Sequence, residues 1–201
     1  MTVDLPDDVV VRSKRVRQVM AKLASVVLRS AILLLAAFDV GLYMRAYTKY
    51  LRWIGLKIEG TPKFISSDVY FDGSDYRLIS LGDNVVISRE VMFLTHDYSI
   101  TAGLAATGQR LRRGEGELYV MRPITVGSDC FIGARASLLP GTVLSDNVIV
   151  GAGSVVTGYI PANSIVAGNP ARVIGETSVW TQAKLELGGF LKEGVSKGPG
   201  V

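Results

Sequence analysis

Between residues 124 and 161 an aliphatic side chain recurs every six residues: Val126, Ile132, Leu138, Leu144, Val150 and Val156. Two places before the first five stand Ile124, Cys130, Ala136, Thr142 and Val148. An earlier block repeats the pattern at Leu81, Ile87 and Phe93, preceded by Ile79, Val85 and Val91, with a looser start at Ile58, Ile65 and Phe71. A period of six cannot make the apolar face of a helix, whose positions recur at three and four. In an extended segment, residues i−2 and i point the same way. Each hexad therefore reads as a short strand followed by a corner, where Gly127, Gly133 and Gly151 accept the bend. Such units cannot bury an apolar face alone and have to stack into a solenoid.

Composition closes off other classes. The 201 residues are 48% apolar and 20% charged, which excludes intrinsic disorder. One cysteine, Cys130, excludes an internal disulfide framework, and its inward repeat position reads as core filling. One histidine, His96, excludes a multi-histidine metal site, so no metal is expected. The net charge of +4 is uneven: residues 1–57 hold ten cations against four anions, a net of +6, which leaves −2 for the rest. A slightly acidic body argues against nucleic acid as a partner.

The basic arm, residues 1–57, reads as helix between Leu23 and Met44, with Arg29 and Asp39 interrupting an apolar run too short for a comfortable membrane span. No small-residue cleavage site follows the basic cluster Arg12–Arg17, so a secretory signal is not expected. Tyr43, Tyr47, Tyr50 and Trp53 interleave with Arg45, Lys49 and Arg52, a mix suited to a membrane–water interface. The alternative is a helical pair packed on the body or on a neighbouring subunit. Residues 175–201 form a tail with a modest helical tendency.

The repeat is expected to break once, between Phe93 and Val126, where an inserted loop spans 97–122. His96 stands at the entry to that loop. Long ordered excursions from a regular scaffold tend to carry function, so the sole imidazole at the sole major break is the leading catalytic candidate.

The segments "ISLGDNVVIS", "LTHDYS", "PITVGSDCFIGARASLLPGTVLSDNVIVGAGSVVTGYIP" and "AGNPARVI" resemble the hexapeptide-repeat acyltransferases, and most nearly the sugar O-acetyltransferases, over about residues 58–174. The resemblance implies a mainly β fold, a left-handed parallel β-helix, and a cytoplasmic homotrimer with its sites between solenoids. It also implies acetyl-CoA as donor and a sugar or surface-glycan acceptor. His96 would be the general base in a direct attack on the thioester, a role suited to a group of unperturbed pKa about 6.5. Glu117, in "GELY", looks like the loop glutamate that orients such a base; Asp72 and Asp97 fall on the acceptor side. Ala134, Ala152, Thr157 and Arg172 would hold the donor. Two positions depart from the family pattern: Gly158 stands where lysine is common, and Phe131 where tryptophan is. Two other readings remain open at this level, N-acetylation of a nucleotide-linked amino sugar and a scaffold without catalysis.

Overall fold

A computed structural model describes residues 28–32, 34–36, 38–112 and 115–190. The basic cluster Arg12–Arg17, the start of the expected arm helix and residues 191–201 lie outside the described residues. The hexads become coils of a parallel β-helix. The first coil contains β1 (Lys57–Ile58), β2 (Phe64–Ile65) and β3 (Tyr70–Phe71); the second contains β4 (Ile79–Leu81), β5 (Val86–Ile87) and β6 (Met92–Phe93). The strands β7 (His96–Asp97) and β8 (Val120–Met121) form the stem of the inserted loop. The third coil follows with β9 (Ile124–Val126), β10 (Phe131–Ile132) and β11 (Ser137–Leu138), and the fourth with β12 (Val143–Leu144), β13 (Ile149–Val150) and β14 (Val155–Val156). The last coil holds β15 (Tyr159–Ile160) and β16 (Ser164–Gly168), and β17 (Ala171–Glu176) folds back antiparallel on β16. Stacking yields three sheets, ordered β1-β4-β9-β12-β15, β17-β16-β13-β10-β5-β2 and β14-β11-β6-β3. They are the three faces of a prism.

Both members of every hexad pair point inward. Val126, Ile132, Leu138, Leu144, Val150 and Val156, with Ile124, Cys130, Ala136, Thr142 and Val148, are all buried. Burial pushes the Cys130 thiol up to about 11, so it stays protonated and inert. Corners between the first and second faces fall on Asn84, Asp129, Asn147 and Asn163, each left-handed with φ of 53–59°. Asparagine and aspartate tolerate that conformation best among residues with a side chain. They also bond from coil to coil, Asn84 Nδ2 to Asp129 Oδ1 at 2.6 Å and Asn147 Nδ2 to Asn163 Oδ1 at 2.8 Å. Gly133 meets a different need: a methyl group there would lie 2.6 Å from the backbone nitrogen of Ala152 in the coil above.

The repeat breaks twice, not once. Paired residues are 18 apart between the third and fourth coils, as in Val126 with Leu144, and 45 apart across the loop, as in Leu81 with Val126. Between the first and second coils they are 22 apart, as in Phe71 with Phe93. The extra residues lie between Phe71 and Ile79, where the chain makes a single 3-10 turn at Tyr76–Leu78. Ten residues separate Phe71 from Leu81 where six would keep the period, a signal present in the sequence. Both excursions leave from the same edge of the prism, one coil apart.

The helix α1 (Val40–Ile54) closes the open end of the first coil. The expected arm helix does not run unbroken through Met44: the chain turns at Ala36 and Phe38 and restarts at Val40, where the Asp39 side chain accepts from the Leu42 N–H at 2.7 Å as an N-cap. An exposed strand edge is a template for unwanted pairing, and side chains of α1 occupy this one. Tyr43 Oη donates to Ile65 O at 2.9 Å, Met44 Sδ accepts from Ile65 N, and Arg52 donates to Ile58 O and Gly60 O. Tyr43, Tyr47 and Tyr50 are accordingly buried and stacked on one another, not presented to a membrane interface. Only Trp53 of the four aromatics is exposed, alongside Arg45, Lys49 and Arg52. Among the described residues no helix is long and apolar enough to cross a membrane. The inserted loop carries α2 (Ser99–Gly103), and after β17 the chain forms α3 (Thr177–Leu187) on the tail expected to be partly helical.

Candidate active site

The two breaks in the repeat bring together residues 24 apart in sequence. Asp72 follows β3 at the first break and points inward; His96 begins β7 at the second. The Asp72 carboxylate is fully engaged. Its Oδ2 accepts from the Thr95 N–H at 3.0 Å, from Thr95 Oγ1 at 2.6 Å and from His96 Nδ1, while Oδ1 accepts from the Ser74 N–H at 3.0 Å. Burial works to raise its pKa. The hydrogen bonds from Thr95, Ser74 and His96 outweigh that and hold the carboxyl below the usual carboxylate range. An ionised carboxylate can only accept, so Nδ1 carries a proton, and in the neutral tautomer this selects the lone pair lies on Nε2. The Asp72 side chain is 2% exposed and the His96 side chain 26%, so a buried anion holds an imidazole whose outer edge reaches solvent. Ser74 Oγ lies 3.2 Å from the same nitrogen.

Thr95 and Ser74 were not legible as site residues, although "FDGS" and "LTHD" carry both. The other two carboxylates stand apart from the ring. In a strand, successive side chains point to opposite faces; His96 and Asp97 alternate across β7, and Asp97 instead accepts from the Ser99 N–H at 2.7 Å at the start of α2. Glu117 is exposed on the loop and is not a hydrogen-bond partner of the ring. It stands near Tyr98, whose phenol is pushed up by burial and by the neighbouring charges of Tyr119, Glu117 and Asp72. Tyr98 meets His96 edge-on at 5.1 Å and packs against Tyr119 at 4.7 Å. The loop thus returns an aromatic pair beside the imidazole, its stem pinned by β7 and β8 and by Thr101 Oγ1, which donates to Leu118 O at 2.7 Å.

The residues expected to hold a donor divide between two edges. Ala134 and Ala152 lie one above the other on the edge between the second and third faces, linked by Gly153 N–H to Ala134 O at 2.8 Å. They line a shallow recess with Arg89, Glu90, Arg135 and Gly153. Arg172, opposite Ala167 in the β16–β17 hairpin, tops the same edge. Thr157 lies on the other edge, that of Asp72 and His96. Beside it Gly158 has φ of +76°, a conformation in which lysine would be strained.

Residues 123–158 match the family model described as "Hexapeptide repeat of succinyl-transferase". The chain is 34% identical to Protein CapG of Staphylococcus aureus over 71% of its own length and 78% of that protein's. It is also 34% identical to galactoside O-acetyltransferase of Escherichia coli (strain K12), over 58% of this chain and 62% of that enzyme. A solved galactoside acetyltransferase in complex with coenzyme A superposes with a TM-score of 0.58 at 23% identity, covering 85% of this chain and 88% of the other. That likeness is one of fold, the left-handed β-helix with an N-terminal helix. A period of six held through stacked coils, and a curated relative matched over most of its length, assign the chain to the hexapeptide-repeat acetyltransferases.

Proposed function

We propose that this protein transfers an acetyl group from acetyl-CoA to a hydroxyl of a sugar in a cell-surface glycan precursor, with His96 as general base. The observation that carries the reading is the Asp72–His96 pair at the foot of the loop. With Nδ1–H held by Asp72, Nε2 takes the proton of the acceptor hydroxyl as its oxygen attacks the thioester carbonyl. The ester C–O bond forms, the C–S bond breaks, and the proton passes from Nε2 to the departing sulfur, leaving CoA as the thiol. Asp72 stabilises the imidazolium in between. The loop carboxylates Asp97 and Glu117 border the acceptor.

The small-residue track of Ala134 and Ala152 fits a slender pantetheine arm, and Arg172 at its end fits phosphates, where charge-assisted bonds are strong. Thr157 borders the reacting end. Donor track and base lie on different edges of one prism, so edge-to-edge packing of neighbouring solenoids joins one chain's track to the next chain's base. We read the active form as a homotrimer for that reason. Calorimetric titration with acetyl-CoA and with CoA tests the donor: a Kd in the micromolar-to-millimolar range, weakened about tenfold or more by Arg172→Ala, is expected. A folded protein that binds neither overturns the reading.

The glycan part of the proposal rests on the arm, where Phe38 and Trp53 stay exposed beside Arg45 and Lys49. That surface suits peripheral contact with the anionic inner face of the cell membrane, with the body in the cytoplasm. Co-sedimentation with phosphatidylserine vesicles, lost on adding 0.5 M salt (a concentration at which the Debye length shrinks to about 4 Å), is the expected result. Equal binding to neutral vesicles, or none to either, would count against it.

A further inference from the structure

Arg122 ends the inserted loop on the edge of the prism that carries Asp72 and His96. It follows β8 directly, and its backbone N–H donates to Thr95 O at 2.9 Å, beside the residue that bears the imidazole. The side chain then lies along the coil above. A methyl group on Gly141 would stand 3.2 Å from Arg122 Cδ, 3.7 Å from its Cβ and 4.0 Å from Nη1. Gly141 has φ of +84°, and its bare Cα leaves the room in which the arginine runs. Pairing of Val143 with Tyr159 puts Thr157 directly above Gly141, one coil spacing of about 4.8 Å higher. In the column of Arg122, Pro123, Pro140, Gly141, Thr157 and Gly158, the arginine is the one charged side chain. Arg122 is exposed, and among the described residues its guanidinium forms no hydrogen bond and no ion pair.

A cyclic assembly rotates its chains without shifting them along the axis. Prisms standing parallel to that axis therefore join their edges at equal height. Ala134 belongs to the third coil and Ala152 to the fourth, and Gly141 lies in the turn between these coils. The Arg122 guanidinium accordingly faces the neighbour's Ala134–Ala152 track, above His96 and below Arg172. That track offers methyl groups, and the two arginines of its recess are already paired, Arg89 with Asp68 and Arg135 with Glu90. A pantetheine arm brings amide carbonyls to this level, and a carbonyl covered without a donor is costly. The donors have to come from across the boundary.

We propose that Arg122 is a donor-binding residue that acts across the subunit boundary, its guanidinium donating to an amide carbonyl of the pantetheine arm on the neighbour's track. The proposal rests on the acetyl-transfer reading and on the ring of chains that reading needs. The full chain is titrated calorimetrically with CoA and with 4′-phosphopantetheine. Arg122→Met keeps the length of the side chain and removes its donors, and is expected to weaken both ligands by the same factor, about tenfold. That factor should hold from about 0.1 to about 0.5 M salt, because a carbonyl contact is screened less than a phosphate contact. A factor that falls with salt, or that spares 4′-phosphopantetheine, overturns the carbonyl assignment. Melting temperature and oligomeric mass are measured on the same samples. If Arg122→Met disturbs either, Arg122→Lys serves instead and should lose about threefold, since it keeps the charge without the planar donor set. Wild-type affinity in the variant used overturns the proposal. Mixed oligomers of Arg122→Met chains and Ala134→Trp chains, isolated through two different tags, should regain sites of wild-type affinity, because an intact edge then meets an intact track. A mixture without such sites places the contact within one chain and overturns the proposal. Failure of the wild-type protein to bind either ligand strikes the acetyl-transfer reading itself, and this contact with it.

Discussion

Replacing His96 with alanine is expected to lower kcat by on the order of 10²- to 10⁴-fold, the usual worth of a positioned general base, with the Kd for acetyl-CoA unchanged. The chain holds no second histidine to substitute for it. The ring lies on a different edge of the prism from the Ala134–Ala152 track, so its removal leaves the donor contacts alone. The decisive measurement is thiol release from acetyl-CoA with an acceptor sugar, alongside calorimetry on the same preparation. A kcat within about threefold of wild type would remove His96 from the mechanism and favour the scaffold reading.

Asp72→Asn is expected to be nearly as damaging, again on the order of 10²- to 10⁴-fold in kcat, and more damaging than Glu117→Gln. The asparagine keeps the shape but loses the charge, so the imidazolium is no longer stabilised, and an amide nitrogen turned to the ring would favour the wrong tautomer. Its amide nitrogen also cannot accept from Thr95, which leaves buried donors short of a partner at roughly 1–3 kcal/mol. Melting temperatures of both variants separate a stability loss from a catalytic one. If Glu117→Gln proves the more damaging, the loop glutamate and not Asp72 tunes the base. The Asp72 carboxyl also has a pH signature. Because its pKa is lowered in the folded chain, it stabilises the fold above the ordinary carboxyl range of about 3.9, and that contribution is lost as the pH falls through its own lowered value.

The β-helix could be read from the chain because its cause is local. A residue two places from its neighbour shares its face, and the corner residues Asn84, Asp129, Asn147 and Asn163 sit where the hexad needs a left-handed turn. His96 could be read because its isolation and its place at a break are facts of sequence. Asp72 was read as an acceptor residue and Glu117 as the partner of the base, since nothing in the one-dimensional pattern ranks one carboxylate above another. The tyrosines of α1 misled for a related reason. Aromatics mixed with arginines look the same whether they face lipid or, like Tyr43 bonded to Ile65 O, close the end of a solenoid.

What the sequence determined by itself was therefore the repeat, its inward residues and the position of the imidazole, all consequences of strand alternation and of burial within a few residues. What only the tertiary structure decided was which residues stack. Stacking depends on the length of each coil, 22 residues between Phe71 and Phe93 but 18 between Leu138 and Val156. Those insertions set Asp72 beneath His96, because coil closure, and not sequence distance, fixes which side chains meet.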